Sequence, residues 1–257
     1  MESISQAVIK SGADLGVIFD TDVDRSALVD KNGQAINRNN LIALISSIIL
    51  KEHPGSVIVT DSITSDGLTL FIEEMGGNHH RYKRGYKNVI NESIRLNNEG
   101  SESWLAIETS GHAALKENYF LDDGAFLIAK ILIEAARLYK EGKDISSLIL
   151  NLEQPAESKE YRYKITCPNF GIYGQNVLEE ISKKTIGVDG WELVLPNYEG
   201  VRVKCNTQEE NGWFLLRMSL HNPVMPLNIE SNLEGGCELI FNKLKTLLEN
   251  YKDLTLS

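Results

Sequence analysis

Val17-Ile18-Phe19-Asp20-Thr21-Asp22-Val23-Asp24-Arg25 reads as a short apolar strand that runs out into a loop of alternating carboxylates. Aspartate is depleted in strands, and clustered carboxylates repel one another. At the exposed end of a buried strand, three such groups call for a cation. Oxygen-only ligands suit a hard ion such as Mg²⁺, so Asp20, Asp22 and Asp24 are the candidate metal ligands. A solvated acidic turn is the plainer alternative. The apolar lead-in and the adjacent Arg25 favour the metal site.

Outward from this loop, strand-like and helix-like segments alternate. Residues 16–19 and 27–29 read as strands, the second entering a Lys31-Asn32-Gly33-Gln34 turn. Asn39 or Asn40 is placed to cap an apolar helix over 41–50. Residues 56–60 form a β-branched run, and Ser65-Asp66 can cap a helix that Gly76-Gly77 stops. A strand around 79–82, a helix over 87–96, a buried strand over 104–107 and an amphipathic helix over 125–139 complete a layered α/β pattern. A polar stretch over 151–160, with Pro155, reads as a linker. Beyond it, strands are expected at 161–166, 191–195, 201–204 and 213–218, and helices at 177–184 and 234–251. Strands following strands indicate a small antiparallel α+β domain. Neither an internal repeat nor a low-complexity tract is evident.

The chain has 257 residues and a formal net charge of −10. That balance argues against general nucleic-acid binding and leaves room for a local basic pocket. No apolar run is long enough to span a bilayer, and the first residues lack a secretory pattern. Cys167, Cys205 and Cys237 are widely spaced, so neither a disulfide framework nor a zinc site is expected. A cytoplasmic location is the default expectation.

Three kinds of site use aspartates in this way. An EF-hand needs glycine at its sixth position and glutamate at its twelfth, where this chain has Arg25 and Lys31. A haloacid-dehalogenase-type phosphatase is similar in placing Asp20 as nucleophile and Asp22 two residues on. Residues 57–60 resemble its second motif and Asp122-Asp123 its acidic pair. Asp24, however, stands where that family usually has threonine or valine.

The third match covers most of the chain. Asp20-Thr21-Asp22-Val23-Asp24-Arg25 resembles the metal loop of the α-D-phosphohexomutases, the phosphoglucomutase and phosphomannomutase superfamily. Arg84-Gly85-Tyr86-Lys87, Glu108-Thr109-Ser110-Gly111-His112, Asp122-Asp123-Gly124 and Arg217-Met218-Ser219 resemble further stations of that family, in order. Residues 219–230 resemble a plant-type branch, for which a plant precursor would add a plastid address. After Ser219 the family's glycine-threonine-glutamate-proline is replaced by Leu220-His221-Asn222-Pro223, and His221 and Asn222 are candidates to replace some phosphate contacts.

The resemblance implies a fold of layered α/β domains followed by a small α+β domain. It implies a partial second family domain at 1–51, a sugar-binding third domain at 52–154 and a phosphate-binding fourth domain at 155–257. It implies an isomerase of carbohydrate metabolism that performs intramolecular phosphotransfer on hexose phosphates. By the same resemblance, Asp20, Asp22 and Asp24 are expected to hold Mg²⁺, and Arg25 to touch the phosphoryl group. The resemblance further implies that Glu108, Ser110 and His112 read the sugar, and that Lys87, Arg217 and Ser219 hold phosphate. The family's phosphoserine motif is not found, so a truncated member without independent activity is expected. A non-catalytic sugar-phosphate-binding remnant is the alternative. Which hexose phosphate is used stays open.

Independently of the resemblance, Glu108, Ser110 and His112 alternate after an apolar strand, which places them on one side of an extended loop. Their acceptors and donors suit a polyol, although a plain strand-end turn fits the same spacing.

Overall fold

The computed structural model describes residues 1–219 and 222–257, which divide into two compact units, Met1–Glu153 and Gln154–Ser257. The first unit opens with α1 (Glu2–Ser11), β1 (Leu15–Phe19), β2 (Ser26–Asp30), β3 (Ala35–Ile36) and α2 (Asn39–Glu52). It continues with β4 (Val57–Asp61), α3 (Asp66–Glu74), β5 (Asn78–Tyr82) and α4 (Tyr86–Asn98). It ends with β6 (Ser103–Ile107), β7 (Ala113–Leu115) and α5 (Gly124–Lys140). β1, β2 and β3 form an antiparallel three-stranded sheet. The second sheet has the order β5-β4-β6-β7, with β4 parallel to both β5 and β6, and β7 antiparallel to β6.

The layering follows from side-chain period. α2 buries every residue from Leu41 to Leu50, because it is apolar on all sides. It joins one core with Leu28, Ile58, Leu105, Ile107 and the inner face of α5. Each fully buried leucine or isoleucine there contributes roughly 1.5–3 kcal/mol. The alternate strand positions, Val59 and Ala106, face the other way and pack with Val89 of α4.

Two local expectations need correction. Neither Asn39 nor Asn40 caps α2. Arg38, in the left-handed region at φ 50°, precedes the helix, and Asn39 Oδ1 instead accepts from Ser65 N–H at 3.3 Å. Residues 16–19 are not a fully buried strand. β1 lies at the end of its sheet, with Ile18 and Phe19 exposed by 41% and 38%. Only Gly16 is tightly covered, by α1; a Cβ there would meet Val8 Cγ2 at 2.6 Å. Ser65 does cap α3, its Oγ accepting from Leu68 N–H at 3.1 Å.

The sequence shows no repeat, yet the fold contains one. The order helix, strand, loop, antiparallel strand, helix occurs as α1-β1-β2-α2 (with the short β3 inserted) and again as α4-β6-β7-α5. The two segments share the order of their elements and the antiparallel pairing of their strands.

The second unit comprises β8 (Glu157–Ile165), α6 (Phe170–Thr185), β9 (Trp191–Leu193), β10 (Val201–Cys205), β11 (Gly212–Leu216), β12 (Val224–Ser231), α7 (Gly236–Leu248) and β13 (Leu254–Leu256). Its antiparallel sheet has the order β13-β8-β12-β11-β10-β9. β8 begins inside the expected linker. β12 was not read from sequence, because Pro226 and polar Asn228 interrupt its apolar alternation. Phe214, Leu227, Ile229, Ile181 and Ile240 share one core. On alternate positions, Arg202 stacks over the Trp213 ring at 3.6 Å, and Trp213 Nε1 donates to Glu230 at 3.1 Å.

Candidate functional site

The acidic loop between β1 and β2 is shaped by its own side chains. Arg25 donates to both carboxylate oxygens of Asp20, from its backbone N–H at 3.1 Å and from Nε at 2.6 Å. Val23 turns the chain at φ 65°, a conformation costly for a β-branched residue. One carboxylate oxygen each of Asp20, Asp22 and Asp24 then fits within a 4.8 Å group. Asp24 Oδ1 is buried and has no hydrogen-bond donor. Burial pushes the Asp24 carboxyl up; the charge of His112 opposes this, and those of Asp22 and Asp20 reinforce it. Asp20 moves the other way: burial would raise it, but the Arg25 hydrogen bonds and charge bring it below the usual aspartate value.

A second loop, between β6 and β7, is stitched to the first. Ser26 N–H donates to Gly111 O at 3.4 Å, and Gly124 N–H donates to Val23 O at 3.1 Å. The approach is close enough to require glycine. A Cβ on Gly111 would lie 2.7 Å from Ser26 O, and one on Gly124 would lie 2.9 Å from Val23 O.

Glu108 is buried, and its carboxylate accepts from Gly85 N–H at 2.7 Å and from Ser110 Oγ at 3.2 Å. His112 Nδ1 lies 2.8 Å from Asp122 Oδ2 and 3.6 Å from Asp24 Oδ2. Burial alone would lower the His112 pKa. The hydrogen bond to Asp122 and the charges of Asp122, Asp24 and Glu108 outweigh it, and the pKa lies above the usual histidine value. Tyr86 stacks on His112 with ring centroids 4.8 Å apart. Lys87, the next residue, holds its Nζ 5.7 Å from the Tyr86 ring centre. The first unit therefore gathers Asp20, Asp22, Asp24, Arg25, Lys87, Glu108, Ser110 and His112 around two joined loops.

Beneath them sits a pair that the sequence reading missed. Asp61, at the end of β4, is fully buried and accepts from Thr109 N–H at 3.1 Å and Thr109 Oγ1 at 2.7 Å. Arg84 Nε lies 3.3 Å from its Oδ2. Burial pushes the Asp61 carboxyl up to about 6 against the opposing charge of Arg84. Asp122 was also missed as a partner of His112. Its signal was the Asp122-Asp123-Gly124 run ten residues after the histidine.

The donor set suits a hard divalent cation. It is all oxygen, it carries three negative charges, and one buried oxygen lacks a donor. Asp24, His112 and Asp122 form a second group within the same distance limit, which shares Asp24 with the first.

This chain resembles known proteins along nearly its whole length. Residues 37–155 match the family model described as phosphoglucomutase/phosphomannomutase, alpha/beta/alpha domain III. A phosphoglucomutase of Neisseria gonorrhoeae is 28% identical over 246 residues, covering 95% of this chain and 50% of that protein. A phosphomannomutase of Methanocaldococcus jannaschii is 28% identical over 249 residues, covering 96% of this chain and 50% of that protein. The chain is therefore similar to the phosphoglucomutases and phosphomannomutases, with the family match falling on residues 37–155. A solved phosphoglucomutase/phosphomannomutase family protein of Burkholderia thailandensis superposes with a TM-score of 0.77 at 27% identity, covering 96% of this chain and 49% of that one. The chain thus spans about half the length of the relatives it matches.

The remaining candidates lie in the second unit. Arg217 directly follows β11 and is buried, with Nη1 3.9 Å from Glu199 Oε1 and 3.4 Å from Met218 O. Ser219 N–H donates to Val224 O at 2.9 Å. His221 lies outside the described residues. No helix among the described residues is long and apolar enough to cross a membrane.

Proposed function

We propose that this chain supplies the cation-holding and sugar-recognising part of a phosphohexomutase that moves a phosphoryl group between positions of a hexose phosphate. The observation that carries this reading is the stitching of the acidic loop to the Glu108-Ser110-His112 loop, with Asp24 3.6 Å from His112. It supports a reading in which charge for a cation lies beside acceptors for sugar hydroxyls.

Asp20, Asp22 and Asp24 are the residues to hold Mg²⁺. When bound, the ion neutralises charge that develops on the transferring phosphoryl oxygens. Arg25 is restrained by Asp20 and offers its remaining guanidinium N–H groups to the same oxygens. Each Glu108 oxygen already accepts one hydrogen bond and keeps a second lone pair for a sugar hydroxyl. His112, oriented through Nδ1 by Asp122, exchanges protons at Nε2. Lys87 supplies positive charge near the sugar loop. Arg217 and Ser219 are the proposed phosphate contacts of the second unit, and the plant-type reading of residues 219–230 belongs with them.

Ser110, in the joined loops, has its Oγ donating to Glu108 at 3.2 Å, and we do not assign it as a phosphoryl donor. The chain alone is expected to bind hexose phosphate without turning it over. Calorimetry with Mg²⁺ and glucose 1,6-bisphosphate tests this. The expected result is Mg²⁺-dependent binding that Glu108→Ala abolishes. Absence of binding in saturating Mg²⁺ overturns the reading. In a coupled glucose 1-phosphate assay, robust turnover by the chain alone would contradict the need for a separate donor. Phosphate release lost in Asp20→Asn would instead favour the phosphatase reading.

A further inference from the structure

Three parallel strands end side by side beneath the joined loops. Asp61 is the last residue of β4, the middle strand of the three. It pairs with Tyr82 of β5, and Thr60 before it pairs with Ile107 of β6. Glu108 follows Ile107, and Lys83-Arg84-Gly85 follow Tyr82. The carboxyl ends of parallel strands are where open α/β sheets place their ligand sites. Asp61 stands at the centre of that edge and is completely buried.

A buried carboxylate needs donors, and Asp61 takes them from the loops on both sides. Thr109 N–H donates to Oδ1 at 3.1 Å, and Thr109 Oγ1 to Oδ2 at 2.7 Å. Arg84 Nε lies 3.3 Å from Oδ2. Both partners lead directly to Glu108. Thr109 is its neighbour in the chain. Gly85, the residue after Arg84, donates its N–H to Glu108 Oε1 at 2.7 Å. The contacts close a ring that runs from Asp61 to Thr109, Glu108, Gly85, Arg84 and back to Asp61.

The ring is a poor device for stability alone. It buries two carboxylates at one strand edge, and the charge of Glu108 acts against that of Asp61. Replacing buried charged groups by apolar ones of similar size is often neutral or stabilising. What an apolar residue at position 61 could not do is hold the loops on either side of Glu108 in one fixed arrangement.

We propose that Asp61 is a positioning residue of the sugar-reading site: by engaging Thr109 and Arg84 together, it fixes the Glu108 carboxylate against Gly85 and so sets which arrangement of ring hydroxyls the site accepts. The ligand is a phosphorylated hexose, so the proposal rests on the sugar-phosphate reading given above. It assigns the hydroxyl selectivity of that site to a residue that is itself out of reach of the ligand.

The test compares two ligands on the full chain with Mg²⁺ present. Glucose 1,6-bisphosphate carries ring hydroxyls between its phosphates, whereas hexane-1,6-diol bisphosphate carries the phosphates alone. Calorimetry is run at about pH 8, above the Asp61 value of about 6, so that the carboxylate is ionised. Asp61→Asn keeps the size of the side chain and loses its charge toward Arg84. Loss of one negative charge acts on both ligands alike, so the ratio of the two affinities reads the hydroxyls. That ratio is expected to fall about tenfold in Asp61→Asn. Thr109→Val should lower it about threefold, and Thr109→Ser, which keeps the donating hydroxyl, should restore it. Ile72→Val, a core truncation outside the ring, should leave it unchanged. Without ligand, hydrogen exchange at the Gly85 amide should quicken at least about tenfold in Asp61→Asn, relative to the amide of Gly77.

An unchanged ratio in Asp61→Asn overturns the proposal. If that variant does not fold, an unchanged ratio in Thr109→Val does so. An equal fall in Ile72→Val overturns it too, since lost stability would then explain the effect. A wild-type chain that binds neither ligand, or both equally, overturns the sugar-phosphate reading instead. Exchange at Gly85 still decides in that case whether Asp61 holds Glu108, so the two ideas fail separately.

Discussion

Gly111 brings its carbonyl to 3.4 Å from the N–H of Ser26, and this backbone contact joins the loop that carries three carboxylates to the loop that carries Glu108, Ser110 and His112. Gly111 sits at φ 101°, and a Cβ would press on Ser26 O at 2.7 Å. Gly111→Ala is therefore expected to cost about 2–3 kcal/mol, from backbone strain plus the displaced contact. Urea denaturation measures the loss. Mg²⁺ calorimetry should show weaker binding, because Asp24 no longer sits against the second loop.

Asp24 contributes an oxygen that is buried and lacks a donor, beside two other carboxylates. Without metal, Asp24→Asn should leave thermal stability unchanged or raise it, since it relieves like-charge repulsion. With millimolar Mg²⁺, the wild type should gain melting temperature through ligand linkage, and the variant should not. A variant that keeps the full Mg²⁺-dependent shift would remove Asp24 from the metal set.

Val23 holds φ 65° while exposed by 39%, so it pays backbone strain for little burial. Val23→Gly should be neutral or stabilising by up to about 1 kcal/mol, against the usual penalty for introducing glycine. A loss above about 1 kcal/mol in denaturant unfolding would show that Val23 makes compensating contacts.

Asp61 has its folded-state carboxyl pushed up to about 6, from an ordinary value of 3.8. The folded chain thus holds this proton more tightly than the unfolded chain does. Its contribution to stability is greatest at low pH and declines as pH rises from about 4 to about 6. Asp61→Asn lacks that titration. The wild-type minus variant difference in unfolding free energy should fall across this window, by at most about 3 kcal/mol, and then level off. A difference that rises with pH would mean that Arg84 holds Asp61 ionised throughout.

Much of this architecture was legible beforehand, for local reasons. The helix over 41–50 was visible because ten consecutive residues are nearly all apolar, and the structure buries all of them. The parallel β4 and β6 were visible as β-branched or aromatic runs bounded by turn residues. β12 was missed because a proline and an asparagine sit in a strand whose residues are buried by tertiary packing. The capping role assigned to Asn39 or Asn40 failed because Asn39 Oδ1 is engaged by Ser65, 26 residues away.

The same division runs through the site. Asp20, Asp22 and Asp24 lie within five residues of Arg25, so chain geometry alone could gather them. By itself, the amino-acid sequence determined the acidic loop, the glutamate-serine-histidine loop, the alternation that makes a layered α/β unit and the antiparallel pattern that follows it. These depend on side-chain period and short-range turns. Only the tertiary structure decided that Asp61 would lie under Thr109, 48 positions on, that Asp122 would orient His112, and that β1, among the described residues, would pair with a strand on one edge alone. Such relations arise when separate strands are packed side by side, and a burial or a pairing across that distance leaves no periodic mark in the chain.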